Sequence, residues 1–321
     1  MQQTLQTRVL KKTRLSDRVV SLTLGLPNGA EFPVWEPGAH IELELAVSKT
    51  ESLYRQYSLC GQQVNTREWQ IAVLKEEAGR GGSAYIHEVL QEGDALAVSI
   101  PKNHFPFAAN KKCFFIAGGI GITPIVPMVR AAAAAGLDWS LLYLARNAAD
   151  FIFLQELQQV DGSRITTHAS NQDGLFDLQR VLQALDEQTV VYSCGPQALL
   201  NALESYRQEQ ADIGWQLVLE RFSVETGAGL LEGNSFTVTL RKSGKSITVA
   251  GDETILAALK REGVRVKCSC RNGTCGTCET VVISGLPEHR DFVLSKEERQ
   301  SNETMMICVS RALSDELVLD L

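Results

Sequence analysis

The cysteines between Cys268 and Cys278, in the stretch CSCRNGTCGTC, constrain this chain more than any other feature. The chain has eight cysteines in 321 residues, and four of them lie in this loop. Cys270-x4-Cys275-x2-Cys278, followed much later by Cys308, is the ligand spacing of a plant-type [2Fe–2S] cluster. Four thiolates must converge on two irons, and the loop must wrap closely enough for its amides to hydrogen-bond the sulfurs. Gly273 and Gly276 allow the backbone angles and close approach this requires. Zinc is the alternative, but zinc knuckles use two close cysteine pairs, and only Cys275-x2-Cys278 is such a pair. Cys268 falls outside the four-ligand spacing and is expected to be a bystander.

The length allows two or three domains, each able to bury a core. The net charge is −7 with no basic block, which argues against a nucleic-acid partner. No signal peptide is read at the N-terminus. The uncharged run CFFIAGGIGITPIVPMV, from Cys113 to Val129, is short for a membrane span and broken by Gly and Pro. A cytoplasmic protein without a membrane partner is expected, and in that compartment clustered thiols point to a metal or redox site rather than a disulfide frame.

Three zones succeed one another. Residues 1–107 carry short apolar runs (VVSLTLGL, HIELELAV, YSLC, WQIAVL, ALAVSI), which suggest an antiparallel barrel or sandwich. One helix, Ser83 to Asp94 with Ser83 as N-cap, interrupts them. Residues 108–225 alternate apolar strands with helical stretches, which predicts a doubly wound parallel α/β sheet. Residues 226–235 read as a linker. Residues 236–321 begin with a hairpin turning at Ser243-Gly244 and a helix capped by Asp252 and stopped by Gly263, the elements that flank the cysteine loop in a ferredoxin-like β-grasp.

Two loops in the middle zone suit a nucleotide. AGGIGITPI, Ala117 to Ile125, follows an apolar strand and opens a helix, so backbone amides at a helix N-terminus would face a pyrophosphate. It is not G-x-G-x-x-G, and alone it fits a tight core turn equally well. Cys194-Gly195-Pro196 ends another strand on the same carboxyl edge of the sheet. In the first zone, Arg55-Gln56-Tyr57-Ser58 at a strand start and Arg80-Gly81-Gly82-Ser83 at a helix start together outline a phosphate cradle beside an aromatic ring. Either tetrapeptide alone reads as a solvated turn.

The set RQYS, GRGGS, AGGIGITP, CGP, a strand ending in Glu220-Arg221-Phe222, the C-terminal cysteine pattern and the tail HRDFVLSKEER…ICVSRA…LVLDL resembles the phthalate dioxygenase reductases. The vanillate demethylase and carnitine monooxygenase reductases belong to the same group. The resemblance covers essentially the whole chain. It implies a flavin-binding barrel, an NAD-binding α/β domain and a C-terminal ferredoxin domain, with FMN, NADH and [2Fe–2S] as cofactors. FMN over FAD follows from the C-terminal position of the ferredoxin zone. The resemblance places Arg55, Gln56, Tyr57, Ser58, Val73, Gly81, Gly82 and Ser83 at FMN, with Phe222 beside the flavin. It places Gly119, Ile120, Gly121, Ile122, Thr123, Cys194, Gly195 and Pro196 at the nucleotide, and Cys270, Cys275, Cys278 and Cys308 at the cluster. Gln56 departs from the threonine or small polar residue often found in its place.

The implied activity is an NADH-dependent reductase, a monomer, that passes electrons from hydride through flavin and cluster to a Rieske-type terminal oxygenase. The cofactors carry that chemistry, so no catalytic acid or base is needed. His87, His104, His168 and His289 are expected to be structural or surface groups; His40 sits in an expected strand that could bring it near the flavin, but nothing in the sequence singles it out. A P450 or a ferredoxin as acceptor is an alternative, and so is a non-enzymatic electron carrier.

Overall fold

The computed structural model describes residues 4–48, 52–77, 79–108, 112–210, 214–222 and 233–321. The 226–235 linker lies largely outside them. Contacts divide the chain into two compact units, Met1–Arg221 and Phe222–Leu321.

The first unit begins with a curled antiparallel sheet. Its strands are β1 (Thr4–Arg14), β2 (Val19–Gly25), β3 (Ala39–Ala46), β4 (Ser52–Ser58), β5 (Glu68–Leu74), β6 (Ala95–Ser99) and the short β7 (Lys102–Asn103). They run in the order β4-β3-β6-β1-β2-β5, with β7 on β3. Alternation decides which way each side chain points. On β3, Ile41, Leu43 and Leu45 enter the core, and their cross-strand partners on β4 are Tyr57, Arg55 and Leu53. His40, Glu42 and Glu44 therefore share the other face with Ser58, Gln56 and Tyr54. RQYS ends its strand rather than starting it.

Helix α1 (Gly82–Glu88) is shorter than its sequence suggests, and its N-cap is Gly81, at a left-handed φ of 78°. Ser83 lies inside the helix, and its Oγ accepts the Glu76 amide at 3.1 Å instead of capping.

Next comes a five-stranded parallel sheet of β8 (Lys112–Gly118), β9 (Trp139–Ala145), β10 (Ile165–Ala169), β11 (Thr189–Cys194) and β12 (Gln216–Glu220), in the order β10-β9-β8-β11-β12. The helices are α2 (Ile122–Ala134), α3 (Leu154–Asp161), α4 (Ser170–Asp173), α5 (Leu178–Leu182) and α6 (Gln197–Glu209). Both faces of the sheet are covered. Cys113, Phe115 and Ala117 of β8 pack with α2, while Phe114 and Ile116 pack with Leu203 and Tyr206 of α6. This is the doubly wound arrangement expected of strands that are apolar on both sides. The curled sheet shares the α2-side core through Val19, Cys60, Ala72 and Phe105. Arg130 of α2 strengthens the join by donating to the Cys60 and Gly61 carbonyls, both at 3.1 Å.

The second unit contains β13 (Phe236–Leu240), β14 (Ser246–Val249), α7 (Ile255–Arg261), β15 (Glu279–Ser284), β16 (Pro287–Glu288), α8 (Lys296–Ser301), β17 (Thr304–Met306), β18 (Arg311–Ala312) and β19 (Glu316–Leu319). The main sheet runs β14-β13-β19-β15-β17, with β13 parallel to β19, and α7 buries Ile255, Ala258 and Leu259 in its core. The expected hairpin forms, pairing Phe236 with Val249 and Val238 with Ile247. Thr254, not Asp252, caps α7: its hydroxyl accepts the Ala257 amide at 3.0 Å. Two residues closer to the helix, Thr254 is within reach of the free amides of the first turn.

Candidate functional site

Three sites take shape on these frames, each at the end of an element. On the curled sheet, Arg55 of β4 lies along the start of α1. A Cβ added at Gly82 would sit 2.5 Å from Arg55 Nε, so only glycine lets the guanidinium stem approach the helix. Arg55 Nη2 also donates to the Arg80 carbonyl at 2.6 Å. The two tetrapeptides that together outline a phosphate cradle in the sequence do meet, Arg55 against the start of α1.

On the other face of these strands, the Oγ of Ser58 is buried without a hydrogen-bond partner, and so is the Nε2 of His40, its cross-strand neighbour. Burial and the nearby His104 and Lys102 push the His40 imidazole down to about 3, so it is neutral. Two unpartnered buried polar atoms side by side fit a site completed by a polar, planar ligand. Tyr57 packs on the barrel core, and burial raises its phenol.

Val73 is buried in the barrel core, and its carbonyl contacts His87 Nε2 at 2.9 Å. Gln56 and Ser58 both face away from Arg55 and Tyr57. The histidine to add to this site is His40. Its sequence gave no signal, because only the register with Ser58 brings the two together.

The second site lies where the parallel sheet reverses its order. The chain builds outward from β8 through β9 to β10, then returns to place β11 and β12 on the opposite side of β8. The loops after β8 and β11 therefore flank the switch point, where open α/β sheets bind ligands. They are in backbone contact. A Cβ at Gly121 would collide with the Cys194 carbonyl and sit 2.6 Å from the Gly195 nitrogen, and one at Gly118 would lie 2.5 Å from Pro196 Cδ. Gly119 adopts a φ of 54° with open space beside it.

Thr123 spends its hydroxyl on the Ile120 carbonyl at 3.0 Å. Gly121 and Ile122 are buried, whereas Gly119, Ile120, Gly195 and Pro196 are exposed or partly exposed. At the same edge, Cys194 pairs in register with Glu220. Glu220 Oε2 is buried without a partner, and desolvation pushes the carboxyl up to about 8. Burial, and then the neighbouring Glu220, raise the Cys194 thiol. Phe222 is 41% exposed, two residues beyond the end of β12.

The third site is the cysteine loop. Cys275, Cys278 and Cys308 are buried, and Cys270 is partly exposed. The sulfurs converge: the Cys275 and Cys308 thiols donate to Cys270 Sγ, and Cys308 also donates toward Cys278. The loop amides point inward. Asn272 N and Thr274 N approach Cys270 Sγ at 3.5 and 3.3 Å, and Cys270 N approaches Cys275 Sγ at 3.4 Å. These contacts, first those from the two thiols and then those from the loop, favour the Cys270 thiolate.

Residues 271, 273 and 276 are all in the left-handed region, which curls the loop around the sulfurs. Gly273 must be glycine, since a Cβ would sit 2.7 Å from Val309 Cγ2. Among the described residues no group of three or more His, Cys, Asp or Glu is disposed to hold a metal ion. A two-iron cluster takes two thiolates per iron and does not need three side chains around one point. The donor set and the inward amides fit such a cluster. Cys268 is no ligand: it packs on the core with Val264 and Val266.

The chain matches two family models: the oxidoreductase NAD-binding domain over residues 115–205 and the 2Fe-2S iron-sulfur cluster binding domain over residues 238–313. It is 36% identical to the carnitine monooxygenase reductase subunit of Escherichia coli strain K12 over 99% of both chains. It is 37% identical to the phthalate dioxygenase reductase of Burkholderia cepacia, over 99% of this chain and 97% of that one. A solved phthalate dioxygenase reductase structure, described as modular for electron transfer from pyridine nucleotides to [2Fe–2S], superposes with a TM-score of 0.70 over 99% of this chain and 98% of its own. An intact type IV self-sufficient cytochrome P450 monooxygenase superposes at 0.85 with 35% identity, again over 99% of this chain but only 41% of that longer one.

Proposed function

Because this chain belongs to the phthalate dioxygenase reductase family, we propose that it is the NADH-dependent reductase component of a two-component oxygenase. In this reading FMN occupies the first site, NADH the second and [2Fe–2S] the third, and electrons leave to a Rieske-type terminal oxygenase. The observation that carries the reading is the convergence of four cysteine sulfurs under inward-pointing amides, in a chain whose two glycine loops meet at the switch point of a parallel sheet.

When bound, a flavin accepts two electrons together and gives them up singly to an iron–sulfur cluster, which carries one at a time. The protein supplies position and environment. Arg55 and the amides at Gly82 and Ser83 hold a phosphate. Tyr57 would pack against the flavin, and Ser58 Oγ and His40 Nε2 are the unpartnered polar atoms at the same strand end. The backbone from Gly119 to Gly121, with Gly195 and Pro196, admits a pyrophosphate closely. A neutral Glu220, in register with Cys194, would place no charge at the sheet edge that would hold the nucleotide. Cys270, Cys275, Cys278 and Cys308 ligate the irons, and the amides of Asn272 and Thr274 tune the potential through Cys270 Sγ.

The test is Cys275→Ser in the holoprotein, with anaerobic NADH titration and iron analysis. Flavin bleaching by NADH should persist while cytochrome c reduction is lost. Undiminished cytochrome c reduction, or stoichiometric zinc in place of iron in the parent protein, rejects the reading. The match to a self-sufficient P450 supports a second acceptor class, a haem monooxygenase. Parallel turnover assays with a Rieske oxygenase and a P450 separate the two.

A further inference from the structure

The charge around the cysteine loop is unlike that of the chain as a whole. From Gly233 onward twelve acidic and twelve basic side chains cancel, so the formal −7 belongs to the residues before it. Within this neutral unit the balance is uneven. The stretch from Gly263 to Cys278 contains Arg265, Lys267 and Arg271 and no Asp or Glu. Val264, Val266 and Cys268 turn to the core, and the alternating Arg265 and Lys267 stay exposed. Arg271 is also exposed, held at a φ of 59° directly after the first ligand. Among the described residues no carboxylate pairs with Arg265 or Arg271. The nearest preceding acid, Glu262, is taken by Lys245 at 2.8 Å and Arg261 at 3.8 Å.

An exposed aromatic ring accompanies this charge. Phe292 is 54% exposed, and its amide donates to the Gly273 carbonyl at 2.8 Å, so it sits on the cysteine loop. The turn that presents it is fixed. Asp291 is buried, its Oδ2 accepts the amides of Val293 and Leu294 at 3.0 and 2.9 Å, and Arg299 donates to its carbonyl. A rigidly presented Phe beside arginines has the composition of an interface core. The position suits electron exit, because Cys270, between Arg271 and the core-facing segment, is the one ligand of the four that is not buried.

Building on the reductase reading, we infer that Phe292, with Arg265, Lys267 and Arg271, forms the docking face for the one-electron acceptor. The acceptor is a protein that rings an apolar pocket with carboxylates. Opposite charges steer the encounter and set its rate, and the ring fills the pocket and sets the lifetime.

The experiment uses the full holoprotein in stopped flow, with acidic cytochrome b5 and basic cytochrome c as acceptor probes. In Arg265→Glu/Lys267→Glu, transfer to cytochrome b5 should fall about tenfold at low salt and transfer to cytochrome c should rise. Both differences should fade near about 0.5 M salt. NADH-driven bleaching of the cluster should be unchanged. The charge-matched control Lys11→Glu/Arg67→Glu should leave both transfer rates as they were, and Phe292→Ala should slow cytochrome b5 reduction at low and high salt alike. Equal cytochrome b5 rates in variant and parent, or an equal effect in the control, overturns the inference. Slowed cluster bleaching in the variant overturns it as well, since the face would then serve electron entry. If NADH fails to bleach the cluster of the parent protein, the reductase reading itself fails.

Discussion

The backbone contact between the two nucleotide loops makes a sharp prediction at Gly121. An alanine there would drive its Cβ into the Cys194 carbonyl and to 2.6 Å from the Gly195 nitrogen, whereas non-bonded carbons prefer about 3.5–4.0 Å. Relief of about 1 Å must come from backbone, because the obstructing atoms are not a flexible side chain. It must also come from paired strands, since Ala117 of β8 is in register with Cys194 of β11. Overpacking of well-packed cores costs about 1–3 kcal/mol, and a clash with main chain belongs at the upper end, so Gly121→Ala should lose about 3 kcal/mol. Gly119→Ala is the matched comparison. There the added Cβ meets nothing within 4 Å, so only the left-handed φ of 54° is penalised, at about 1–2 kcal/mol. All four tryptophans (Trp35, Trp69, Trp139 and Trp215) lie in the first unit, so urea titration followed by their fluorescence reports on that unit alone. NAD⁺ binding by equilibrium dialysis should weaken more in Gly121→Ala than in Gly119→Ala. If the two variants are equally stable, or if Gly121→Ala binds NAD⁺ like the parent, the loops do not meet as described.

Three further outcomes follow from the same geometry. Gly82→Ala should displace Arg55 from the start of α1 and weaken FMN binding by about tenfold, the loss of one charge-assisted contact of about 1.4 kcal/mol, read by flavin fluorescence on reconstitution. Glu220, raised to about 8 in the fold, contributes stability that is full below its unfolded value and is lost as pH rises through 8. Glu220→Gln should therefore gain on the parent in urea midpoint between pH 5 and pH 8. His40, lowered to about 3, acts in the opposite direction: its contribution is full above about 6.5 and is lost as pH falls toward 3, so His40→Asn should flatten the acid limb of the stability curve.

How legible each part was in the sequence depended on how local its cause is. The cluster ligands were readable because three of the four sulfurs sit on one short loop whose spacing is set by the metal group itself. The hairpin at Ser243-Gly244 was readable for the same reason. Strand β1 went unread because its alternation breaks: the pairing with β2 shifts register between Val9 and Lys11 and leaves Leu10 46% exposed. Both N-caps were misplaced by two residues. Glycine at a positive φ caps α1 as well as a hydroxyl would, and Thr254 competes successfully with Asp252 for α7. His40 and the contact of Gly121 with Cys194 were beyond reach, because each depends on which strands become neighbours and in what register.

The buried polar atoms left without partners connect these sites. Folded chains satisfy nearly all such atoms, so each exception needs a reason. Among the described residues there are five: His40 Nε2, Ser58 Oγ, Glu220 Oε2, His289 Nδ1 and Asp291 Oδ1. The first two are a cross-strand pair at the end of β3 and β4, on the face opposite Arg55 and Tyr57, and the third ends the strand beside the nucleotide loops. The last two are 3.9 Å apart, and Asp291 Cα lies 3.0 Å from where a Cβ of Gly273 would be, behind the cysteine loop. Errors of packing would scatter such atoms through the two units. Instead they gather at the three places that glycine loops and cysteine spacing mark independently, as expected of a fold whose remaining hydrogen bonds are supplied by its cofactors. Loading each cofactor should therefore raise the stability of the unit that holds it by more than its apolar contacts provide. The excess should shrink in Ser58→Ala, where the atom awaiting a partner is gone.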